Sequence, residues 1–169
     1  MDAKITGNVF VESQMKRTAR AIILFISQGA SIGKFPVAPG TAGTVLGVLL
    51  YMWMKTLPPL QYGSLCLLIF IVGTWAAGRA EVMLGHKDSP TIVIDEIAGY
   101  LVAMFMAPPV WSFIVAGFVL FRAFDIVKPF PLKQLQNVHG GLGIMLDDIG
   151  AGIYTGIVLQ LAAYILKKS

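Results

Sequence analysis

Residues Ile149–Leu166, IGAGIYTGIVLQLAAYIL, form an eighteen-residue run without a charge, closed by Lys167 and Lys168. About 20 such residues cross the hydrocarbon core of a bilayer. In that setting the backbone must satisfy its own hydrogen bonds, so the run is expected to be helical. Asp147 and Asp148 stand directly before it. A charge at the bilayer centre costs at least about 2.5–3.5 kcal/mol on insertion scales, so acids beside a span need a reason. Capping of a helix N-terminus accounts for one acid, through hydrogen bonds from the free N–H groups, and leaves the second unexplained.

The rest of the chain repeats the pattern. Of 169 residues, 56% are hydrophobic and only 13% charged, and mean hydropathy is +0.75. Soluble domains carry about 25% charged residues, so this composition is that of a membrane protein. Four further apolar runs precede the last one: Ala42–Leu57, Tyr62–Ala80, Ile92–Ala107 and Val110–Val127, separated by Pro58–Pro59, a polar loop and Pro108–Pro109. The expected fold is all-α, a polytopic membrane helical bundle of about five transmembrane helices. Residues 1–20 read as a polar N-terminal tail and 21–169 as the integral-membrane domain. Residues 19–32, ARAIILFISQGASI, are too short and interrupted for a span and read as an interfacial helix. No cleavable signal peptide is evident at the polar N-terminus. Small residues at helical spacing (Gly43 and Gly47, Gly73 and Ala77, Asp148 with Gly152 and Gly156) read as close helix packing. Cys66, the single cysteine, lies within an apolar run and reads as a packing thiol. No basic stripe with interleaved aromatics points to nucleic acid.

Lys and Arg in short loops set orientation. With the N-terminus inside, Lys4, Lys16, Arg17, Arg20, Lys34, Arg79, Lys87, Lys128 and Lys133 gather on one face, against Lys55, Lys167 and Lys168 opposite. That topology brings five carboxylates to the cytoplasmic face: Asp95 and Glu96 before the third span, Asp125 near the inner end of the fourth, Asp147 and Asp148 before the fifth. The Gly/Pro loop GKFPVAPGTAGT, 33–44, falls on the same face.

Five acids at one depth repel unless a cation sits among them or several are protonated. An oxygen-rich, cysteine-free set suits a hard cation, Mg²⁺ or Mn²⁺. The run FRAFDIVKPFP spaces Arg122, Asp125 and Lys128 three apart, along one helix face. Arg122 and Lys128 are candidates for holding an anionic group beside that metal. His139 is a candidate leaving-group acid, because its side chain titrates near neutrality. In PGTAGT, Thr41 with flanking glycines could offer a hydroxyl and backbone N–H groups to phosphate.

The motifs PGTAGT (39–44), VIDEIAG (93–99), FRAFDIVKPFP (121–131) and NVHGGLGIMLDDIGAG (137–152) resemble those of the phosphatidylglycerophosphatase A family, in order and spacing, from about Gly29 onward. Thr44 stands where serine is expected, and the hydroxyl survives. The resemblance implies a Mg²⁺-dependent lipid phosphatase of the bacterial inner membrane that converts phosphatidylglycerophosphate to phosphatidylglycerol and inorganic phosphate at the cytoplasmic face. It implies catalytic roles for Asp95, Glu96, Asp125, Asp148 and His139. Metal ligation would fall to Asp95, Glu96, Asp125, Asp147 and Asp148, and phosphate binding to Thr41, Arg122, Lys128 and Gly141. The partners implied are the phospholipid substrate and the bilayer, with self-association open. Water attack and attack by a carboxylate both remain open.

The chain lacks a Cys-x5-Arg loop, since LLIFI follows Cys66, and the DxDx[TV] motif of aspartate-nucleophile phosphatases. Two other readings compete. A transporter would place its acids at the midplane, and a transferase using CDP-alcohols would carry a DGxxAR pattern that is missing.

Overall fold

The computed structural model describes residues 2–168, with side chains from residue 14 onward. Within them the structure is all-helical: α1 (Asp2–Ser27), a 3₁₀ turn (Ile32–Lys34), α2 (Pro39–Met54), α3 (Pro59–Leu84), α4 (Ile94–Ala103), α5 (Trp111–Val127), the single turn α6 (Leu132–Leu135) and α7 (Gly141–Lys168). Prolines set several of these starts. Pro39 and Pro59 occupy first-turn positions, where a missing N–H costs nothing.

The five expected spans correspond to α2, α3, α4, α5 and α7, but their lengths are unequal. Among the described residues, only α3 and α7 are long and apolar enough to cross a membrane by themselves. At 16 and 17 residues, α2 and α5 extend about 24–26 Å, and α4, with ten residues, only about 15 Å. The interfacial helix expected over 19–32 and the tail expected over 1–20 fall largely on one element, since α1 runs through to Ser27.

The short α4 is the centre of the bundle, packed by α2, α3, α5 and α7. Its sequence, IDEIAGYLVA, is apolar all round after the two acids, as a helix enclosed on every side requires. Ile97, Ala98, Tyr100, Leu101 and Ala103 are buried. Tyr62 and Tyr100 give the ring-rich core two fixed points by donating their hydroxyls to the Leu101 and Ile114 carbonyls, at 2.7 and 3.2 Å.

Two glycines allow α4 and α7 to touch. A Cβ at Gly99 would stand 2.6 Å from the Asp148 carbonyl oxygen, and one at Gly152 would overlap the Gly99 carbonyl. Backbone meets backbone here, so the small-residue row Asp148–Gly152–Gly156 is the seam itself. Outside, the bundle is apolar. Leu49, Trp53, Leu67, Leu68, Ile71, Val115, Val119, Ile153, Ile157 and Ile165 are all exposed. A water-facing surface rarely carries so much contiguous apolar area.

Candidate functional site

The acids do not stand at the mouth of the last helix. α7 begins at Gly141, eight residues before the charge-free run, because GGLGIML continues the helix backwards. Asp147 and Asp148 therefore lie about two turns inside it, both buried. No N–H is free for capping at that depth, and the cap reading is removed. Asp95 and Glu96 occupy the first turn of α4, where the helix dipole favours negative charge.

Crossing α4 against α7 brings three acids together. One carboxylate oxygen from each of Asp95, Glu96 and Asp148 falls within a 4.8 Å group. Each of the three also keeps a buried oxygen without a hydrogen-bond partner: Asp95 Oδ1, Glu96 Oε2 and Asp148 Oδ2. Leaving such atoms unmet costs about 1–3 kcal/mol apiece, more when charged. A divalent cation would satisfy them at once, and an all-oxygen donor set of this size suits Mg²⁺. These residues fit the metal.

The other two acids each pair with a cation, although Asp147 Oδ1 is also buried without a partner. Asp125 accepts a hydrogen bond from Arg122 Nη1 at 2.5 Å, one turn away on α5. The same nitrogen reaches Glu96 Oε1 at 3.7 Å, so Arg122 bridges the acid cluster to Asp125. Asp125 lies near enough to act electrostatically on both Glu96 and Asp148. Lys128, just past the end of α5 in a left-handed backbone conformation, donates to Asp147 Oδ2. Burial works against the Lys128 charge, but the hydrogen bond to Asp147 and the fields of Asp147, Asp148 and Asp125 outweigh it. They hold its ammonium above the ordinary lysine range. Such part-buried pairs add little net stability, yet stranding the buried Asp147 carboxylate would cost up to about 3–5 kcal/mol.

Gly40 joins the site from α2, a contribution the sequence motif did not reveal. A Cβ at Gly40 would overlap Glu96 Oε1 and stand 3.2 Å from Arg122 Nη1. Thr41 follows it, half-buried on the first turn of α2. The Thr44 hydroxyl is occupied by the Gly40 carbonyl at 2.9 Å. Gly141 packs against α3, its Cα side facing the Thr74 carbonyl and the Gly78 amide. His139 is exposed and lines a surface cavity with His86 and Lys87, separate from the three-acid cluster.

A second unforeseen feature holds the acid-bearing segment in place. Gln28, at the end of α1, is buried and donates to the Thr91 hydroxyl at 3.3 Å. The Val93 amide donates to the Ser27 carbonyl at 2.9 Å, two residues before Asp95. A polar residue amid an apolar stretch was the only signal available for it.

Comparison with known proteins follows the same residues. The sequence model of the family described as Phosphatidylglycerophosphatase A matches residues 25–163. Phosphatidylglycerophosphatase A of Escherichia coli K12 is 34% identical over 141 residues, covering 82% of each chain. Its namesake in Haemophilus influenzae Rd is 36% identical over 148 residues, 84% of this chain and 89% of that one. A Bacteroides thetaiotaomicron protein with a provisional phosphatidylinositol-3-phosphatase name is 34% identical over 161 residues, 90% of this chain and 99% of its own. No solved structure gives a significant match. The chain belongs to the phosphatidylglycerophosphatase A family and is a phosphatase.

Proposed function

We propose that the chain hydrolyses the terminal phosphomonoester of phosphatidylglycerophosphate, releasing phosphatidylglycerol and inorganic phosphate, with Mg²⁺ held by Asp95, Glu96 and Asp148. The observation that carries this reading is the group of three clustered acids, each of which also keeps a buried unpartnered oxygen, beside two paired cations. Mg²⁺ bound there supplies Lewis-acid polarisation of the phosphoryl oxygens. Arg122 is already aimed at the cluster through Glu96, and its buried Nε has no partner, which leaves a donor for a phosphoryl oxygen. Asp125 orients that guanidinium from one side. Lys128 holds Asp147 and adds positive potential along the approach of a phosphate.

The exposed apolar girdle and the two long apolar helices support an integral-membrane enzyme. We place it as a multi-pass protein of the bacterial inner membrane, with α2, α3, α4, α5 and α7 crossing or partly crossing and the motif loops cytoplasmic. The asymmetry of Lys and Arg supports that orientation. In this arrangement the site lies just below the headgroups, where a lipid phosphate enters without leaving its leaflet.

The test is phosphate release from phosphatidylglycerophosphate in detergent, with Mg²⁺ and with chelator, beside phosphatidylinositol 3-phosphate as competitor. The reading expects turnover on the first lipid that chelation abolishes and Mg²⁺ restores. Preferential cleavage of the inositol lipid would move the assignment toward the activity named for the Bacteroides relative.

A further inference from the structure

The outer edge of α3 carries a feature that hydrolysis does not use. A cavity of about 430 Å³ lies against Trp75, Gly78, Arg79, Val82 and Met83. A second, of about 360 Å³, continues past Val82 to His86, Lys87 and His139. Both are lined by Val82, so the two cavities adjoin as a two-part groove along the last turns of α3 and the loops beyond it. Its lower part is mostly apolar, and Trp75 and Val82 are exposed to the bundle's surroundings. Arg79 stands in that lower part, and the upper part holds Lys87 with His86 and His139. Arg79 and Lys87 form no ion pair among the described residues. The one acid there, Glu81, accepts a hydrogen bond from the Asp88 backbone N–H at 3.3 Å. Gly85 and Gly140, both at φ +72°, leave open space at the head of the groove.

Apolar surface beside two cations, at the end of a helix long enough to span, matches the chemistry of a phospholipid with an anionic headgroup. None of the three clustered acids lines this groove. We propose that it is an accessory site for one anionic phospholipid, separate from the hydrolytic site. The headgroup phosphate meets Arg79 and Lys87, and an acyl chain lies along Trp75 and Val82. The fit to a diacyl lipid follows from the exposed apolar surface of Trp75 and Val82, which a free phosphate would leave unused.

Binding is measured on the full chain in neutral detergent at 0.15 M salt, independently of turnover. Dioleoylphosphatidylglycerol is titrated and bound lipid counted by native mass spectrometry, with dioleoylphosphatidylcholine and inorganic phosphate as controls. Two cationic side chains near an anionic lipid are each worth about a fivefold gain. R79Q/K87Q should therefore bind its accessory phosphatidylglycerol about 30-fold more weakly, with phosphate release unchanged. W75A should weaken the dioleoyl lipid and leave the dihexanoyl lipid unaffected. K87Q alone, at a solvent-exposed position, should still lower affinity about fivefold if the double variant folds poorly. Equal phosphatidylglycerol occupancy in wild type and K87Q would overturn the proposal. So would equal filling by phosphatidylcholine, or displacement of the lipid by inorganic phosphate alone. Loss of phosphatase activity with intact lipid binding would count against the functional reading and leave this one standing.

Discussion

Gly40→Ala isolates the geometry of the acid cluster from its chemistry. The added Cβ would overlap Glu96 Oε1, lie 3.1 Å from Glu96 Cδ and 3.2 Å from Arg122 Nη1. The obstructing atom is the far end of a flexible side chain, so Glu96 can swing aside and the backbone need not move. Stability should change little. Overpacking typically costs about 1–3 kcal/mol when a core cannot give, whereas Gly→Ala returns at most about 1 kcal/mol at this first-turn position of α2. A net shift within about 2 kcal/mol follows from these opposing effects. Activity should respond far more. Displacing Glu96 by about 1 Å breaks its place among the three acids and its approach to Arg122, and misplacement of that size costs about 100-fold in rate. Phosphate release and thermal melting on the same purified variant separate the two effects. Near-normal turnover with a normal melt would refute the claim that Glu96 must sit where Gly40 leaves room. A collapse of the fold would refute the claim that the clash is confined to a side chain.

Other perturbations test the remaining elements. Lys128→Met strands the buried Asp147 carboxylate and should cost up to about 3–5 kcal/mol in denaturant or thermal unfolding, while the double variant Lys128→Met/Asp147→Leu should recover most of it. Gly152→Val drives a side chain into the Gly99 carbonyl, and loss of folded protein on gel filtration is expected because neither backbone can yield. Cys66→Ala should retain phosphate release, since the thiol is half-buried far along α3 from the acids. Cysteines placed at Lys87 and Lys133, in a chain lacking Cys66, should label only from the cytoplasmic side. Labelling of either from outside intact cells would invert the topology.

Much of the candidate site was readable because its residue types stand out in an apolar chain. Asp95, Glu96 and Asp148 are acids in apolar surroundings, whereas the i, i+3 spacing of Arg122 and Asp125 reads as a shared helix face with Arg122 turned to an anionic group, and the structure pairs the two. The long apolar runs likewise give the helical class, because a backbone within a bilayer must bond to itself. Boundaries were harder. Glycine-rich GGLGIML looks like a loop, yet α7 starts there, because tight packing of Gly141 on α3 outweighs weak helix propensity. That shift moved Asp147 and Asp148 from a helix mouth to two turns within it. The short α4 was read as a full span because its apolar run continues to Ala107. A positive φ at Met106 and the following prolines end the helix at Ala103. The contacts of Gly40 with Glu96, and of Gln28 with Thr91, join residues 56 and 63 positions apart. No local pattern encodes such pairings.

The central claim is that Asp95, Glu96 and Asp148 together hold a divalent cation, and melting with and without Mg²⁺ tests it without relying on turnover. At about 100 times the dissociation constant, a ligand that binds only the folded state adds about 2.7 kcal/mol. At about 2–4 °C per kcal/mol for a chain of this size, the wild type should melt about 5–10 °C higher in Mg²⁺. Asp95→Asn and Asp148→Asn should lose most of that gain. Without metal they should melt at or above the wild type, because each removes one of three mutually repelling carboxylates. Full retention of the Mg²⁺-induced shift in both variants would contradict the account.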